Sequence, residues 1–342
     1  MIELSIILPC YNVEVYLERC FNSIYTQEVD YNFEVIAVDD ASTDNTLGVL
    51  TQLAQKYKNL VIIHHEENRK LTGARTSGIK AARGRYVLHV DPDDALLPDS
   101  LQRIFRNRGV DWDILFFNVL CESTDNRKSY QLYTSRNEQI FNLKNSNDQS
   151  KIFKLIKGSC FAKIVKRELC NNLLYFNYNY NIGEDFAFNY EVFNRATIVV
   201  YDPHLFYSYF FNSNSLARGK FNVDRLNYEN SWICNIVSVM ETQSTHKISN
   251  KTVNKNIERY TIGLLLKIKS MPYVERNHTY NLWKIFLRKH VVLFGTLKSK
   301  WYLLLLKFNN ERISIPLFLI SLGQIAPYLE RLRRHLYQQD GV

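Results

Sequence analysis

The stretch Asp91-Pro92-Asp93-Asp94 places three carboxylates within four residues. It follows the apolar run at residues 86–88, so the carboxylates fall where a buried strand would emerge into solvent. Negative charges this close repel one another unless a positive group lies among them, and a divalent cation prefers such oxygen ligands. A solvated turn that caps a following helix is the alternative for the same residues. The spacing alone leaves the metal site and the polar turn both open.

Two further acidic pairs lie next to regular patterns. Asp39-Asp40 ends an apolar run, and Ser42 or Asp44 behind it is typical of a cap for the next helix. Glu184-Asp185 precedes an apolar-periodic stretch, where acidic side chains favour the positive end of a helix dipole. Both pairs therefore have a local structural explanation beside any role in binding.

Strand and helix patterns alternate through the first 120 residues. This alternation predicts a parallel α/β sheet flanked by helices. Ligands of such sheets bind beyond the carboxyl ends of the strands, and both Asp39-Asp40 and Asp93-Asp94 fall there. The predicted strands are residues 4–9, 33–38, 60–63, 85–90 and 113–117, and the predicted helices are residues 15–25, 46–57, 73–82 and 99–108.

The second half of the chain has a different character. Residues 118–150 are polar and predict edge strands with a mobile loop, while the pattern beyond residue 221 is mainly helical. Apolar and aromatic residues are interspersed with Lys or Arg at 301–307 and 328–336. Such basic amphipathic helices can lie on an anionic membrane or form a packing or dimer surface. Both interpretations stay open.

The composition excludes several classes of protein. The chain has 342 residues, 46% of them hydrophobic, as in a globular protein with room for two regions. Its net charge of +9 suits an anionic partner, but no nucleic-acid motif accompanies it, so nucleic acid is not an expected partner. The six scattered cysteines form no C-x-x-C pair, and the N-terminus shows no cleavable signal, so free thiols and a cytoplasmic location are expected. No dinucleotide fingerprint follows the first strand and no P-loop motif occurs.

Four motifs occur in order along the first 120 residues. They are SIILPCYN at 5–12, EVIAVDDASTD at 34–44, GARTSG at 73–78 and GRYVLHVDPDD at 84–94. In type, order and spacing they resemble the nucleotide-binding half of family 2 glycosyltransferases of the bacterial surface-polysaccharide type. The resemblance implies a GT-A fold, with a Rossmann-like, mostly parallel sheet in residues 1–218. Residues 219–342 lie beyond the resemblance, and their pattern predicts a helical region that could associate with a membrane or oligomerise. Within the domain, residues 1–120 would bind the nucleotide sugar and residues 121–218 would lie on the acceptor side.

The resemblance assigns the donor side of the site. Asp40 would accept a hydrogen bond from the donor base, uracil by preference, and Asp39 would support the loop. Pro9 and Tyr11 would form the wall beside the nucleotide, and Arg75 would lie near the base or diphosphate, where a guanidinium suits either. A surface salt bridge is the alternative for Arg75.

The same resemblance assigns a metal and an acceptor corner. Asp93 would ligate Mn²⁺ or Mg²⁺, with Asp91 closer to the ribose and Asp94 as a supporting carboxylate. Asp185 would act as general base on the acceptor hydroxyl, with Glu184 orienting it or replacing it. Arg218 would close over the diphosphate.

These roles imply an inverting, metal-dependent glycosyltransferase. It would move a sugar from a nucleotide sugar, by preference a UDP-sugar, to a glycan or lipid-linked glycan in polysaccharide, capsule or lipopolysaccharide biosynthesis, at the inner face of the cell membrane. A nucleotidyltransferase is the first alternative, although its glycine-rich loop and lysine are replaced by residues 9–12, PCYN. A non-catalytic sugar- or membrane-binding partner is the second.

Several other polar residues have simpler interpretations. Lys163 and Lys166 could approach phosphates, but a solvated edge strand is favoured for them. The histidines His64, His65, His89 and His204 show no metal-ligand spacing and are interpreted as structural.

Overall fold

A computed structural model describes residues 1–123, 129–155, 159–177 and 184–211, together with residues 223, 226, 271, 275, 278, 279 and 281–283. The chain divides into two compact units, and residues 1–211 lie in the first. The predicted C-terminal helices, the basic segments at 301–307 and 328–336, and Arg218 lie outside the described residues.

Helices and strands alternate in the first unit as the sequence predicts. The strands are β1 (Leu4–Cys10), β2 (Phe33–Asp39), β3 (Leu60–His64), β4 (Tyr86–His89), β5 (Ala95–Leu96), β6 (Ile114–Ser123), β7 (Tyr130–Gln131), β8 (Gln139–Asn142), β9 (Lys163–Lys166) and β10 (Ile198–Phe211). The helices are α1 (Glu14–Tyr25), α2 (Thr46–Lys56), α3 (Lys70–Ala81), α4 (Ser146–Leu155) and α5 (Glu184–Arg195).

One sheet organises the unit, in the order β3-β2-β1-β4-β9-β6-β10-β5. Strands β3, β2, β1 and β4 pair in parallel, and β6 pairs in parallel with β10. Strand β9 runs antiparallel between β4 and β6. The α/β class is therefore confirmed, with a parallel half and a mixed half.

Apolar spacing explains why these segments are buried. All seven residues of β1 are buried, as expected for a strand that is covered on both faces. In α1 the buried side chains are Leu17, Cys20, Phe21 and Ile24, which recur every three or four residues and form one face.

Close backbone approach depends on two glycines. A Cβ on Gly78 would lie 2.4 Å from Cγ2 of Ile7, so this glycine lets α3 pack closely on β1. A Cβ on Gly84 would lie 2.6 Å from the backbone nitrogen of Ser5. Gly78 in the third motif thus lets α3 lie close to β1, and Gly84 in the fourth motif lets the chain just before β4 lie close to the backbone of β1.

Two predictions about local structure are wrong. Residues 99–108 form only a short 3₁₀ turn at Leu101–Arg103 instead of a helix. The guanidinium of Arg108 bonds to the carbonyls of Arg103 and Ile104, which a continuing helix would have used. Lys163 does not lie on a solvated edge strand, because β9 is an interior strand and this lysine is 2% exposed.

Two further findings concern the cysteines and the helices of the described residues. Five cysteines are described, and all five are free and buried. Within the described residues, no helix is long and apolar enough to cross a membrane.

Candidate active site

Arg75 links the two acidic motifs that the sequence separates by about ninety residues. Its guanidinium contacts the carboxylate of Asp91 at 3.0 Å through Nη2, and that of Asp185 at 2.5 Å through Nη1. Glu184 lies 3.4 Å from the same Nη1. Arg75 is 1% exposed, so the alternative of a surface salt bridge is wrong. One buried cation therefore holds the turn after β4 and the start of α5 together.

The first turn of α5 presents two carboxylates with different access to solvent. The side chain of Asp185 is 26% exposed and that of Glu184 is 7% exposed. Burial, followed by the charge of Asp185, raises the pKa of Glu184 well above its ordinary value. Asp185 is thus the carboxylate that an external hydroxyl can reach, while Glu184 lies beneath it.

The three carboxylates of the turn at residues 91–94 have different environments. Asp94 is fully buried, and its two oxygens accept hydrogen bonds from the Tyr207 hydroxyl at 2.8 Å and from the Phe210 backbone at 2.9 Å. These bonds fasten β10 to the turn and leave Asp94 no access to a ligand. This burial does not favour the predicted place of Asp94 among the metal ligands, and in the structure its bonds hold the turn.

Asp91 and Asp93 are the carboxylates of the turn that keep an exposed surface. Burial and then the neighbouring Asp91 raise the pKa of Asp93 to about 6. Within the described residues, no group of three or more His, Cys, Asp or Glu side chains is arranged around a common metal position. Asp91 and Asp93, two partly exposed carboxylates on one turn, still fit a cation such as Mg²⁺, which is commonly held by one or two carboxylates plus substrate phosphates and water.

The ends of β2 and β3 form a second polar corner. The carboxylate of Asp40 accepts hydrogen bonds through Oδ1 from Nδ1 of His65 at 2.6 Å and from the backbone N–H of Arg69 at 2.8 Å. Nε2 of His65 lies 2.8 Å from the hydroxyl of Ser77 on α3. Asp39 pairs instead with His64 at 2.7 Å and is completely buried, which favours its predicted role of supporting the loop over contact with a nucleotide.

The remaining predicted donor residues are placed unequally. Tyr11 is 47% exposed just beyond the end of β1, whereas Pro9 is buried within that strand. Of the two predicted wall residues, only Tyr11 therefore presents its side chain to a ligand.

The profile of glycosyl transferase family 2 matches residues 5–195, which include every described residue of the site but those on β10. The chain belongs to glycosyl transferase family 2. Among its relatives, the "putative glycosyltransferase EpsH" of Bacillus subtilis is 34% identical over 125 residues, 36% of each chain. The "poly(ribitol-phosphate) beta-glucosyltransferase" of Bacillus spizizenii is 40% identical over 103 residues, 30% of this chain and 16% of that protein. The match thus spans about a third or less of these relatives.

A solved structure extends the comparison to the fold. The crystal structure of S. aureus TarS 1-349 in complex with UDP-GlcNAc aligns with a TM-score of 0.64 at 23% identity, covering 84% of this chain and 81% of that one. This likeness confirms the GT-A fold predicted for the family 2 chain.

A buried layer lies beneath the site of this family 2 chain; the structural interpretation of His89 agrees with its burial, but the contacts of the layer were not predicted from the sequence. Lys163 bonds to the carbonyl of Ser159, which also accepts a hydrogen bond from Asn189 on α5 at 3.0 Å. Burial lowers the pKa of Lys163 to about 8. His89, 1% exposed, packs edge-on against Phe188 at 5.2 Å, and burial followed by Arg75 lowers its pKa well below the ordinary value. The position of His89, two residues before Asp91 at the end of a strand, was the available signal.

Proposed function

We propose that this chain is an inverting glycosyltransferase that moves a sugar from a UDP-sugar to a hydroxyl group of a glycan or lipid-linked glycan. The observation that carries the proposal is the fork of Arg75, which bonds Asp91 after β4 and Asp185 at the start of α5. A donor held at Asp91 and an acceptor deprotonated at Asp185 would then meet across one guanidinium. Family membership supports the reaction class.

In the proposed reaction Asp185 acts as general base. As the acceptor oxygen forms its bond to the anomeric carbon, the hydroxyl proton becomes acidic and passes to the Asp185 carboxylate. The bond from the anomeric carbon to the diphosphate oxygen breaks, and its electron pair leaves with the diphosphate. A single displacement inverts the anomeric centre and needs no covalent nucleophile. Arg75 orients Asp185 and offsets its charge beside Asp91 and Glu184.

Asp93 and Asp91 would hold Mn²⁺ or Mg²⁺ in this proposal. When bound, the cation supplies charge stabilisation to the departing diphosphate. Asp40 at the neighbouring strand end would receive the donor base, and Tyr11 would cover it. We also propose Arg218 as a donor-binding residue, although it lies outside the described residues.

The substrate class is supported by the relatives. TarS was crystallised with UDP-GlcNAc, and the Bacillus spizizenii relative is named for glucosyl transfer to poly(ribitol-phosphate). We propose a UDP-sugar donor and an acceptor that belongs to a cell-surface polysaccharide or teichoic acid. A lipid-linked acceptor would place the enzyme at the inner face of the membrane.

The proposal is tested by sugar transfer with a panel of UDP-sugars and Mn²⁺. Asp185→Asn is expected to lower kcat by about a hundredfold to ten-thousandfold, as for loss of a general base, while UDP binding measured by titration calorimetry stays within about threefold. Asp111→Asn is the matched control, because this carboxylate is 70% exposed at the opposite edge of the sheet.

Four outcomes separate the alternatives. Unchanged transfer in Asp185→Asn would remove the base assignment, and loss of UDP binding would move Asp185 to the donor side. A wild-type protein that binds UDP with Mn²⁺ but transfers no sugar would favour a non-catalytic binding partner. Incorporation of a nucleotide instead of a sugar would favour a nucleotidyltransferase.

A further inference from the structure

The proposed donor corner contains a chain of three hydrogen-bonded side chains that joins β2, β3 and α3. Asp40 bonds to Nδ1 of His65 at 2.6 Å, and Nε2 of His65 bonds to the hydroxyl of Ser77 at 2.8 Å. Asp40 and His65 are 2% and 4% exposed. Burial on this scale restricts both side chains to one arrangement.

The direction of the hydrogen bond between Asp40 and His65 follows from the backbone. Oδ1 of Asp40 also accepts the N–H of Arg69 at 2.8 Å, so this oxygen is an acceptor and Nδ1 of His65 must be the donor. Nε2 of His65 is bonded to the Ser77 hydroxyl, which can donate to this nitrogen or accept from it. Asp40 thereby requires a proton on Nδ1 of His65, and Ser77 holds the ring plane from the other side.

Both hydrogen bonds of Asp40 within the described residues use Oδ1, so Oδ2 is left for a ligand at the carboxyl end of β2. A carboxylate oxygen accepts hydrogen bonds and cannot donate them. Uracil offers an N–H at N3, whereas neutral cytosine presents a lone pair at N3 that Oδ2 would repel. A carboxylate that cannot rotate would therefore distinguish the two bases.

We infer that His65, held by Ser77, is a positioning residue that fixes Asp40 so that its free oxygen selects uridine over cytidine nucleotides. This inference rests on the proposed function, since it places the donor base at Asp40.

A Ser-His-Asp arrangement can also serve nucleophilic catalysis, but the surroundings of Ser77 argue against that use. Ser77 lies inside α3, Lys70–Ala81, where neighbouring backbone N–H groups are bonded within the helix. A nucleophilic serine needs free N–H donors beside it to stabilise an oxyanion. The geometry therefore points to positioning.

Titration calorimetry of the full chain with UDP and CDP, each with Mn²⁺, tests the inference. The wild type is expected to bind UDP at least about tenfold more tightly than CDP, the effect of one hydrogen bond to a charged group. His65→Gln places its amide near the Nε2 position and loses the bond to Asp40, so UDP binding weakens by roughly tenfold while CDP binding does not weaken. His65→Asn keeps a donor at the Nδ1 position and restores the UDP preference.

His64→Gln is the matched control, because His64 is 47% exposed and contacts Asp39 instead. It is expected to leave both affinities unchanged. If His65→Gln does not show the wild-type unfolding transition, Ser77→Ala replaces it, with a smaller loss of UDP preference expected.

The outcomes distinguish failure of the positioning role of His65 from failure of the proposed function. A wild type that prefers UDP, with the preference intact in His65→Gln or in Ser77→Ala, overturns the positioning role. Equal weakening of UDP and CDP also overturns it, because that is the signature of a general structural defect. A wild type that binds neither nucleotide contradicts the proposed function itself.

Discussion

The central sheet carries buried carboxylates at two edges, the one where the parallel strands begin and the one where they end. The two clusters differ in how far hydrogen bonds and cations compensate their negative charge. At the edge where the parallel strands begin, Glu34 accepts hydrogen bonds from Ser5 and from the backbone and guanidinium of Arg83, at 2.7–2.9 Å. Nearby, Asp113 accepts the backbone N–H groups of Thr197 and Ile198 and pairs with Lys166. Burial alone would raise the pKa of both carboxyls, but these bonds outweigh it and lower the pKa.

At the opposite edge, where the parallel strands end, the pKa values of the carboxyl groups are raised instead of lowered. Burial raises the pKa of Asp91, Asp93, Asp94 and Glu184, and the negative charges of neighbouring carboxylates, Asp185 among them, add to it. The carboxylates of the first edge stabilise the folded chain when they are ionised, whereas ionising those of the second costs stability, because their negative charge is only partly offset. Such partly offset charge is typical of sites that bind cations and substrates. The same residue types thus build a structural edge and a candidate functional edge.

The largest test of this comparison removes the cation from each edge. Arg75→Met leaves three carboxylates without their shared partner and is expected to lower the free energy of unfolding by about 3–5 kcal/mol. Arg83→Met is expected to cost only about 1 kcal/mol, because its side chain is 66% exposed and Glu34 keeps bonds from Ser5 and from the Arg83 backbone. Urea denaturation at neutral pH measures both values. Equal losses would contradict the distinction between the edges.

The next effect concerns the structural edge and its pH dependence. Glu34→Gln is expected to lower the free energy of unfolding by roughly 2 kcal/mol at pH 7, because the Gln amide opposes the Arg83 guanidinium. The pKa of Glu34 is lowered in the folded state, so its stabilisation is present above the ordinary value of 4.5 and is lost as the pH falls through the folded value. The difference between variant and wild type should therefore shrink in acid. A constant difference from pH 7 to pH 3 would show that ionisation of Glu34 contributes nothing.

Much of the fold was predictable because its signals are local. Apolar runs that end in turn residues located β1, β2, β3 and β4, and the acidic residues at their ends indicated the functional edge. The alternation could not show that β9 enters between β4 and β6 in the antiparallel direction, so Lys163 was misplaced. The order of strands depends on packing between distant segments and leaves no local pattern.

The site was predictable in its residue types but not in its contacts. Asp94 belongs to the same short motif as Asp93, yet Tyr207 and Phe210, more than a hundred residues later, cover it. Arg75 meets Asp185 only because α3 and α5 converge on the turn after β4. His65 could have been found, since residues that follow adjacent parallel strands meet at one edge and His65 follows β3 as Asp40 follows β2.

The smallest expected effect is a gain in the free energy of unfolding, and it concerns the candidate functional edge alone. Without a metal, Asp93→Asn is expected to raise the free energy of unfolding by about 1–2 kcal/mol at pH 7.5, after allowance for solvent screening. The folded pKa of Asp93 is raised from 3.8 to about 6, so wild-type stability falls as the pH rises through this window and the gain in the variant appears above it. Urea denaturation in a chelator at pH 7.5 and at pH 4 measures the gain, which should vanish at the lower pH. Mn²⁺ with UDP should then stabilise the wild type and not the variant, because ligands stabilise only the folded state that binds them. A variant less stable than wild type at pH 7.5 would show that Asp93, like Glu34, serves the fold.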